Sequence, residues 1–481
     1  MIANIKKNPV FWLLVLLISI ITVFFRTFNY LNRIYIYADN ALFAQAAYFA
    51  FKNQTIPQIG PFAQAPFFTG PWWLWILMVV FVFPFGYLTP WYFMTFVSLI
   101  FILLLFIAGK EIGGKWLGLL TAFLGSISTA TIDNSFMTWN AAADPILGLI
   151  SVIFFIKYIK NKRPINLFFL TFLVSLATTI HFETFLLSGL IIVALFYGRP
   201  KIKNWIYAFI GGLIAIFPLL YFDLRFNWFW TIRVYEYITI GQSRIFVPNR
   251  WLTYAGEFWP QTWAFIIGGS NWLGYFICII VGIVSFVKLK DIKKNKSYFL
   301  LLFAFIISVV MFRYWRGERY FYYTNYAHGF VLLTTSWVIG QIYKFKKVIG
   351  LIILSLITIF TVNSSIKNLD PRLVTYYQIN NIISQIYNTY PYSNFDIYEC
   401  PFNGSIISTP VSYIMYYQGR NTLDGLKIGV CNPEFQLSWS EIAEKNIGHQ
   451  YGYMQKSTEN IYYEMTEWWK KVPPSNKSLY K

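Results

Sequence analysis

Gly70-Pro71-Trp72-Trp73-Leu74-Trp75 opens an apolar stretch that runs to Tyr87, and whether this stretch crosses a membrane decides the topology of the whole chain. It is short, rich in tryptophan and bounded by Pro71 and Pro84. Tryptophan collects at membrane–water interfaces, so the stretch reads either as a span or as a helix lying in the interface. That a membrane is involved follows from composition. Of the 481 residues 57% are hydrophobic, 21% are aromatic and only 12% are charged. A soluble chain carries roughly a quarter of its residues charged. Apolar runs of about 20 residues recur, the length that crosses a hydrocarbon core. The alternation of an outer-membrane barrel is missing. The chain reads as an α-helical polytopic membrane protein.

The basic residues decide between the two readings of Trp72–Tyr87. If it does not cross, eleven spans remain, near 8–28, 90–109, 116–132, 145–159, 165–180, 184–198, 205–222, 263–287, 298–312, 320–342 and 348–365. One set of alternating loops then holds Lys6/Lys7, Lys110–Lys115, Lys157–Arg163, Arg199–Lys203, Lys288–Lys296 and Lys344–Lys347. These loops contain 19 of the 39 Lys and Arg residues, and only Glu111 and Asp291 among the acids. Short basic loops stay in the cytoplasm. If Trp72–Tyr87 crossed, the same loops would scatter to both sides. The expectation is therefore eleven transmembrane helices in the plasma (inner) membrane, with the N-terminus cytoplasmic and the C-terminal region extracytoplasmic. The net charge of +19 is a topology signal, not a nucleic-acid signature. Lys6 and Lys7 before an apolar run resemble a signal peptide, but no small-residue cleavage site follows and the run continues through Phe25, so an uncleaved first span is expected.

Two domains are expected. Residues 1–365 form the transmembrane domain, with a first outer loop over 29–89 that holds juxtamembrane helices. Residues 366–481 form a small α/β domain outside the membrane. Within it Leu373–Tyr387 reads as an amphipathic helix, Phe395–Glu399 as a strand, Val411–Gln418 as a helix, Gly425–Val430 as a strand and Ser457–Lys471 as a final helix. Cys400 and Cys431 each follow a strand and would be able to pair in an oxidising compartment. Cys278 reads as core, and no Cys/His spacing points to structural zinc.

With this topology the acids Asp39, Asp133, Asp144, Glu183, Asp223, Glu236, Glu257 and Glu318 all fall in outer loops or at outer ends of spans, together with His181. A charge in the bilayer core costs roughly 3 kcal/mol even on permissive scales, so Asp144 and the His181/Glu183 pair, flanked closely by apolar spans, call for an explanation. Asp39 reads either as an N-cap of the helix that follows or as a chemical group at the water–lipid boundary. Asp144-Pro145 suits a helix start equally well. Arg225, Arg233, Arg244 and Arg250 form one outer basic group, and Arg313, Arg316 and Arg319 another. Their geometry suits phosphate, with headgroup anchoring the alternative. Walker loops, dinucleotide fingerprints, nucleophile elbows and zinc-protease helices do not occur. Acids and arginines on one face fit a phosphorylated, partly lipidic substrate.

These motifs resemble the GT-C membrane glycosyltransferases, in particular the branch of protein O-mannosyltransferases and aminoarabinose transferases (glycosyltransferase family 39-like). Tyr37-Ala38-Asp39-Asn40-Ala41 is similar to the first-loop Asp motif, usually Asp-Glu, with Asn40 in place of the Glu. Gly70-Pro71-Trp72-Trp73-Leu74-Trp75 resembles the start of the second juxtamembrane helix. Trp139-Asn140 and Ala142-Ala143-Asp144-Pro145 resemble the second-loop acid and its surroundings. The resemblance covers about residues 8–365. It implies inverting transfer of a sugar from a polyprenyl-phosphate donor to an acceptor glycan, lipid or protein on the outer face. Asp39 would be general base and Asp144 would orient the acceptor or assist a possible divalent metal cation with Asp39. His181, Glu183, Trp139, Asn140, Arg233, Arg244 and Arg250 would bind substrate. Membrane lipids are expected partners and nucleic acid is not. A lipid-linked sugar transporter or flippase is the rival reading. Such carriers place polar residues near mid-membrane, often in repeats, whereas here they gather at one face. A third reading makes the C-terminal domain a sensor or scaffold.

Overall fold

A computed structural model describes residues 8–36, 39–61, 68–198, 200–239, 250–314, 319–399, 405–422, 424–431 and 438–441. Apolar helices account for most of the fold. They are α1 (Pro9–Thr27), α2 (Asp39–Lys52), α3 (Trp72–Val80), α4 (Thr89–Gly113), α5 (Lys115–Ile127), α6 (Asp144–Asn161), α7 (Pro164–Ile180), α8 (Ser188–Gly198) and α9 (Ile202–Arg225). There follow α10 (Phe229–Thr239), α11 (Trp259–Ile266), α12 (Asn271–Val287), α13 (Lys296–Arg313), α14 (His328–Phe345) and α15 (Lys347–Lys367).

The stretch that decided the topology is a short helix. α3 has nine residues, about 14 Å of helix, too little for a hydrocarbon core of about 30 Å. Gly70 explains why the chain enters it as it does. The Gly70 N–H donates to the Thr179 carbonyl at 2.5 Å. A Cβ at position 70 would lie 2.8 Å from the Thr179 Cβ, so only glycine lets the backbones of this loop and α7 approach so closely.

Among the described residues six helices are long and apolar enough to cross by themselves: α1, α9, α13, α15, and the helical stretches Gly86–Gly113 and Asn140–Asn161 that contain α4 and α6. α5 and α7 are shorter apolar helices, as is the stretch Phe182–Tyr197 that runs into α8. α14 is buried along His328 to Ile339 and runs through the centre of the core. Counting the bent pair that ends in α11 and α12 as one brings the six to seven, and α5, α7, α8 and α14 lie at four further expected positions. The expected straight span over 263–287 is corrected. It consists of two helices bent by 104°, joined by residues 267–270, where Gly268 and Gly269 have φ of 132° and 67°. Two adjacent glycines supply positive φ at no steric cost, and apolar character alone carries no sign of such a corner. The stretch expected to begin a span at 320 is a tight 3-10 turn, Phe321–Ala327, before α14.

Arg26 in α1 is wholly buried. Its Nε donates to Ser98 Oγ at 2.7 Å and its Nη2 to Thr131 Oγ1 at 3.1 Å, and further bonds reach the Gly125 and Ser126 carbonyls. A buried guanidinium is tolerable only when its donors are used in this way.

After α15 come α16 (Tyr376–Thr389), β1 (Phe395–Glu399), α17 (Ser405–Tyr417), β2 (Leu426–Cys431) and β3 (Ser438–Glu441). The sheet order is β1-β2-β3. β1 and β2 are parallel, with Phe395 opposite Leu426, and α17 is their crossover; β3 runs antiparallel to β2. α16 begins with a capping box in which Thr375 and Gln378 satisfy each other's backbone donors. The expected helix at Ser457–Lys471, and Cys400 of the expected pair, lie outside the described residues.

Candidate active site

The loop from Met137 to Ala143 is the foundation of the site, and four neighbours hold it. Asn40, the second residue of α2, accepts hydrogen bonds through its Oδ1 from the Thr138 N–H at 2.7 Å and the Trp139 N–H at 3.2 Å. The Thr138 hydroxyl donates to the Asn40 carbonyl at 2.9 Å. From α3, Trp73 Nε1 donates to the Thr138 carbonyl at 2.9 Å. Asn140 Nδ2 donates to the Ile180 carbonyl at the end of α7, at 2.8 Å. Asn325 Nδ2 donates to the Ala141 carbonyl at 3.0 Å. The departure from the Asp-Glu pattern at Asn40 therefore has a structural use. A neutral amide oxygen ties the start of α2 to the Met137–Ala143 loop by two backbone N–H groups.

Asp144 starts α6 immediately after this loop and is 1% exposed. Its Oδ2 lies 2.5 Å from His181 Nδ1, and His181 Nε2 lies 3.0 Å from Glu183 Oε2. The imidazole thus bridges two carboxylates with both ring nitrogens. His181 sits in the link between α7 and the next helix, outside the spans. Burial lowers its pKa, but the Asp144 and Glu183 carboxylates outweigh that and raise it to about 9. It is an imidazolium at neutral pH. Asp144 Oδ1 is buried and bonded to nothing among the described residues.

Aromatic rings complete the wall. Trp139 packs on Tyr322 with ring centres 4.9 Å apart, and His181 stands 6.3 Å from Tyr322 and 6.0 Å from Tyr323. Burial, aided by the nearby Glu183, Tyr320 and Asp39, pushes the Tyr322 phenol up to about 12. Asp39 precedes Asn40, whose side chain holds the Thr138 and Trp139 N–H groups, so it stands beside the same loop as Trp139. Asp39 begins α2 with its side chain reaching solvent. Partial desolvation by the surrounding protein still raises its carboxyl above the usual carboxylate range. Burial also pushes the Tyr323 phenol far up, with Glu183, Tyr322 and Tyr237 adding to it.

The expected site residues divide accordingly. Asp39, Trp139, Asn140, Asp144, His181 and Glu183 converge. Arg233 pairs with Glu236 at 2.6 Å on α10 and lies 5.4 Å from the Phe229 ring. Arg244 lies outside the described residues, and so does the side chain of Arg250. Among the remaining acids, Asp223 accepts from the Trp230 and Thr231 N–H groups and anchors the start of α10. Asp133 pairs with Arg372 at 2.6 Å. Tyr322 and Tyr323 were not singled out from sequence, and Trp73 was read only as part of the stretch Gly70–Trp75. The run Tyr320-Phe321-Tyr322-Tyr323 directly before an apolar span was the available signal for the two tyrosines.

A divalent cation held by Asp39 and Asp144 fits this donor set poorly. Among the described residues no group of three or more His, Cys, Asp or Glu side chains could hold a metal ion. One oxygen each of Asp144 and Glu183 already faces the imidazolium.

No family model and no curated protein matches the chain in sequence. Solved structures do match in fold. The crystal structure of ArnT from Cupriavidus metallidurans bound to undecaprenyl phosphate is similar with a TM-score of 0.58 at 11% identity, over 89% of this chain and 94% of that one. The apo oligosaccharyltransferase of Archaeoglobus fulgidus is similar with a TM-score of 0.53 at 10% identity, over 89% of this chain and 70% of that one. The same values hold for AglB from Archaeoglobus fulgidus in complex with an inhibitory peptide and a dolichol-phosphate. The chain has the GT-C fold. Asp39 and Asp144 stand at the same end of this bundle, since Asn40 beside Asp39 holds the loop that leads into Asp144.

Proposed function

We propose that this protein is an integral membrane glycosyltransferase that moves a sugar from a polyprenyl-phosphate donor to an acceptor at the outer face of the plasma membrane, with inversion at the anomeric carbon. The observation that carries the reading is the convergence of Asp39, Asp144, His181 and Glu183 on the aromatic wall of Trp139, Tyr322 and Tyr323, at one end of a GT-C bundle. Lipid phosphates bound in ArnT and AglB support a lipid-phosphate donor here.

In this reading the acceptor hydroxyl attacks the anomeric carbon from the face opposite the phosphate. The bond from that carbon to the phosphate oxygen breaks, and polyprenyl phosphate leaves with the electron pair. Asp39 takes the hydroxyl proton; its raised carboxyl is a better base than an ordinary aspartate. The aromatic wall stacks on the sugar. Asp144 orients the acceptor through its unengaged Oδ1. His181 spends both ring nitrogens on carboxylates, so it acts by fixing Asp144 and Glu183 and by its positive charge, and the grip on phosphate falls to the outer arginines.

Transfer from radiolabelled polyprenyl-phosphate sugars in membranes containing Asp39→Asn tests this. Donor binding is expected to persist while transfer falls by about 10²-fold or more, the scale of losing a general base. Full transfer by Asp39→Asn would overturn the mechanism.

A further inference from the structure

The C-terminal α/β unit rests against α2, the helix that begins with Asp39. Its contact residues are Gln45, Tyr48, Phe49 and Lys52 on α2, spaced by three and four, which is one face of a helix, and Asn53 directly after it. Tyr48 packs on Tyr417 at 4.4 Å, and Phe49 on Tyr416 at 5.9 Å. Gln45 Nε2 donates to Ser412 Oγ at 3.2 Å. Asn421 Nδ2 donates to the same oxygen at 2.7 Å and to the Ser412 carbonyl at 3.0 Å. All three residues are almost wholly buried. Asn421 bridges to Phe395 at the start of β1. α17 is also anchored to the bundle independently of α2, since the Tyr413 hydroxyl donates to the Tyr87 carbonyl at 2.6 Å.

We infer that the C-terminal unit is a positioning element for Asp39: through Asn421, Ser412 and Gln45 it fixes the placement and register of α2 against the bundle. Apolar faces alone permit small slides, whereas a buried hydrogen-bond network permits one arrangement. Gln45 lies six residues from Asp39, about 9 Å along the helix, so a shift at Gln45 is a shift at the carboxylate. Asn40 holds the start of α2 to the second loop and the Gln45 contact holds its middle. Between them they determine where the base stands relative to Asp144. The inference rests on the transferase reading for its catalytic consequence, but not for the docking itself.

The test uses the full chain with Ser412→Val, Gln45→Leu and the pair, read in two ways. Hydrogen exchange of the amides over Asn40–Lys52 reports the hold on α2 without reference to activity. Steady-state transfer separates kcat from the KM for the polyprenyl-phosphate sugar. Ser412→Val is expected to speed exchange in α2 about tenfold and to lower kcat by about ten- to 10²-fold, the scale of a misplacement near 1 Å, with KM within about twofold. The double variant is expected to match the worse single, as residues in one network do. Tyr416→Phe removes only the hydroxyl to which Asn53 donates; it is the gentler variant and is expected to move exchange in the same direction. Unchanged α2 exchange in folded Ser412→Val would overturn the inference, and so would a fall in kcat without any change in that exchange. If the wild-type chain transfers no sugar, the transferase reading fails and the exchange measurement still decides the docking.

Discussion

Replacing His181 with Asn puts the centre of the site to the test. In the native chain one imidazolium, 8% exposed, lies between Asp144 and Glu183 at 2.5 and 3.0 Å. Its pKa, raised to about 9 from an ordinary value near 6.5, corresponds to about 3 kcal/mol of preference for the charged form in the folded state. Removing one partner of a buried ion pair costs about 3–5 kcal/mol, because the remaining charge is left uncompensated. The burial of Asp144 counts against the same pair, so the lower end, about 3 kcal/mol, is expected. The sign with pH follows from the raised value. This stability is fully present below about pH 6.5, where the unfolded histidine is also protonated, and is lost as pH rises through about 9. Thermal unfolding in detergent, scanned from pH 6 to 10, should therefore show the wild type losing stability across the upper half of that range. His181→Asn should start several degrees lower and be flatter there. The Asp144→Asn/His181→Asn double variant should recover part of the loss, since it strands only the Glu183 carboxylate instead of both carboxylates. A His181→Asn protein with wild-type melting and the wild-type pH slope would refute the charged bridge and the role given to it.

Asn40→Ala strands the buried Thr138 N–H, at about 1–3 kcal/mol, and frees the half-buried Trp139 N–H; a lower melting temperature with a fall in kcat larger than any change in donor affinity is expected. Gly70→Ala pushes a Cβ to 2.8 Å from the Thr179 Cβ, an overpacking worth about 1–3 kcal/mol, measurable as a lower melting temperature. Because partial burial raises the Asp39 carboxyl, the acidic limb of the transfer pH profile should lie above the ordinary aspartate range, with activity falling as pH drops through it; an acidic limb at the ordinary value would remove Asp39 as the titrating base.

Much of the bundle was legible because its signals are local. Whether a helix of given length reaches across a hydrocarbon core is settled by counting apolar residues, and the excess of Lys and Arg in alternate loops picked the eleven-span reading over one in which Trp72–Tyr87 crossed. The corner at Gly268-Gly269 was not legible, because an apolar run has the same composition whether straight or bent by 104°. Asp39, Asp144, His181 and Glu183 were gathered by sequence on one side of the membrane, which narrowed the candidates without giving any pair a distance.

The tertiary structure alone decided how those residues divide the work. That His181 faces Asp144 across 37 residues of sequence, and spends both nitrogens on carboxylates, depends on how the ends of α6 and α7 meet. That Asn40 is a strut between two loops, and that Ser412 reaches Gln45 across 367 residues, follows from which surfaces pack together. Charge and hydropathy act through solvent and leave a mark in the order of residues. Hydrogen bonds between distant residues need positions set to within an ångström, and only the packed chain sets them.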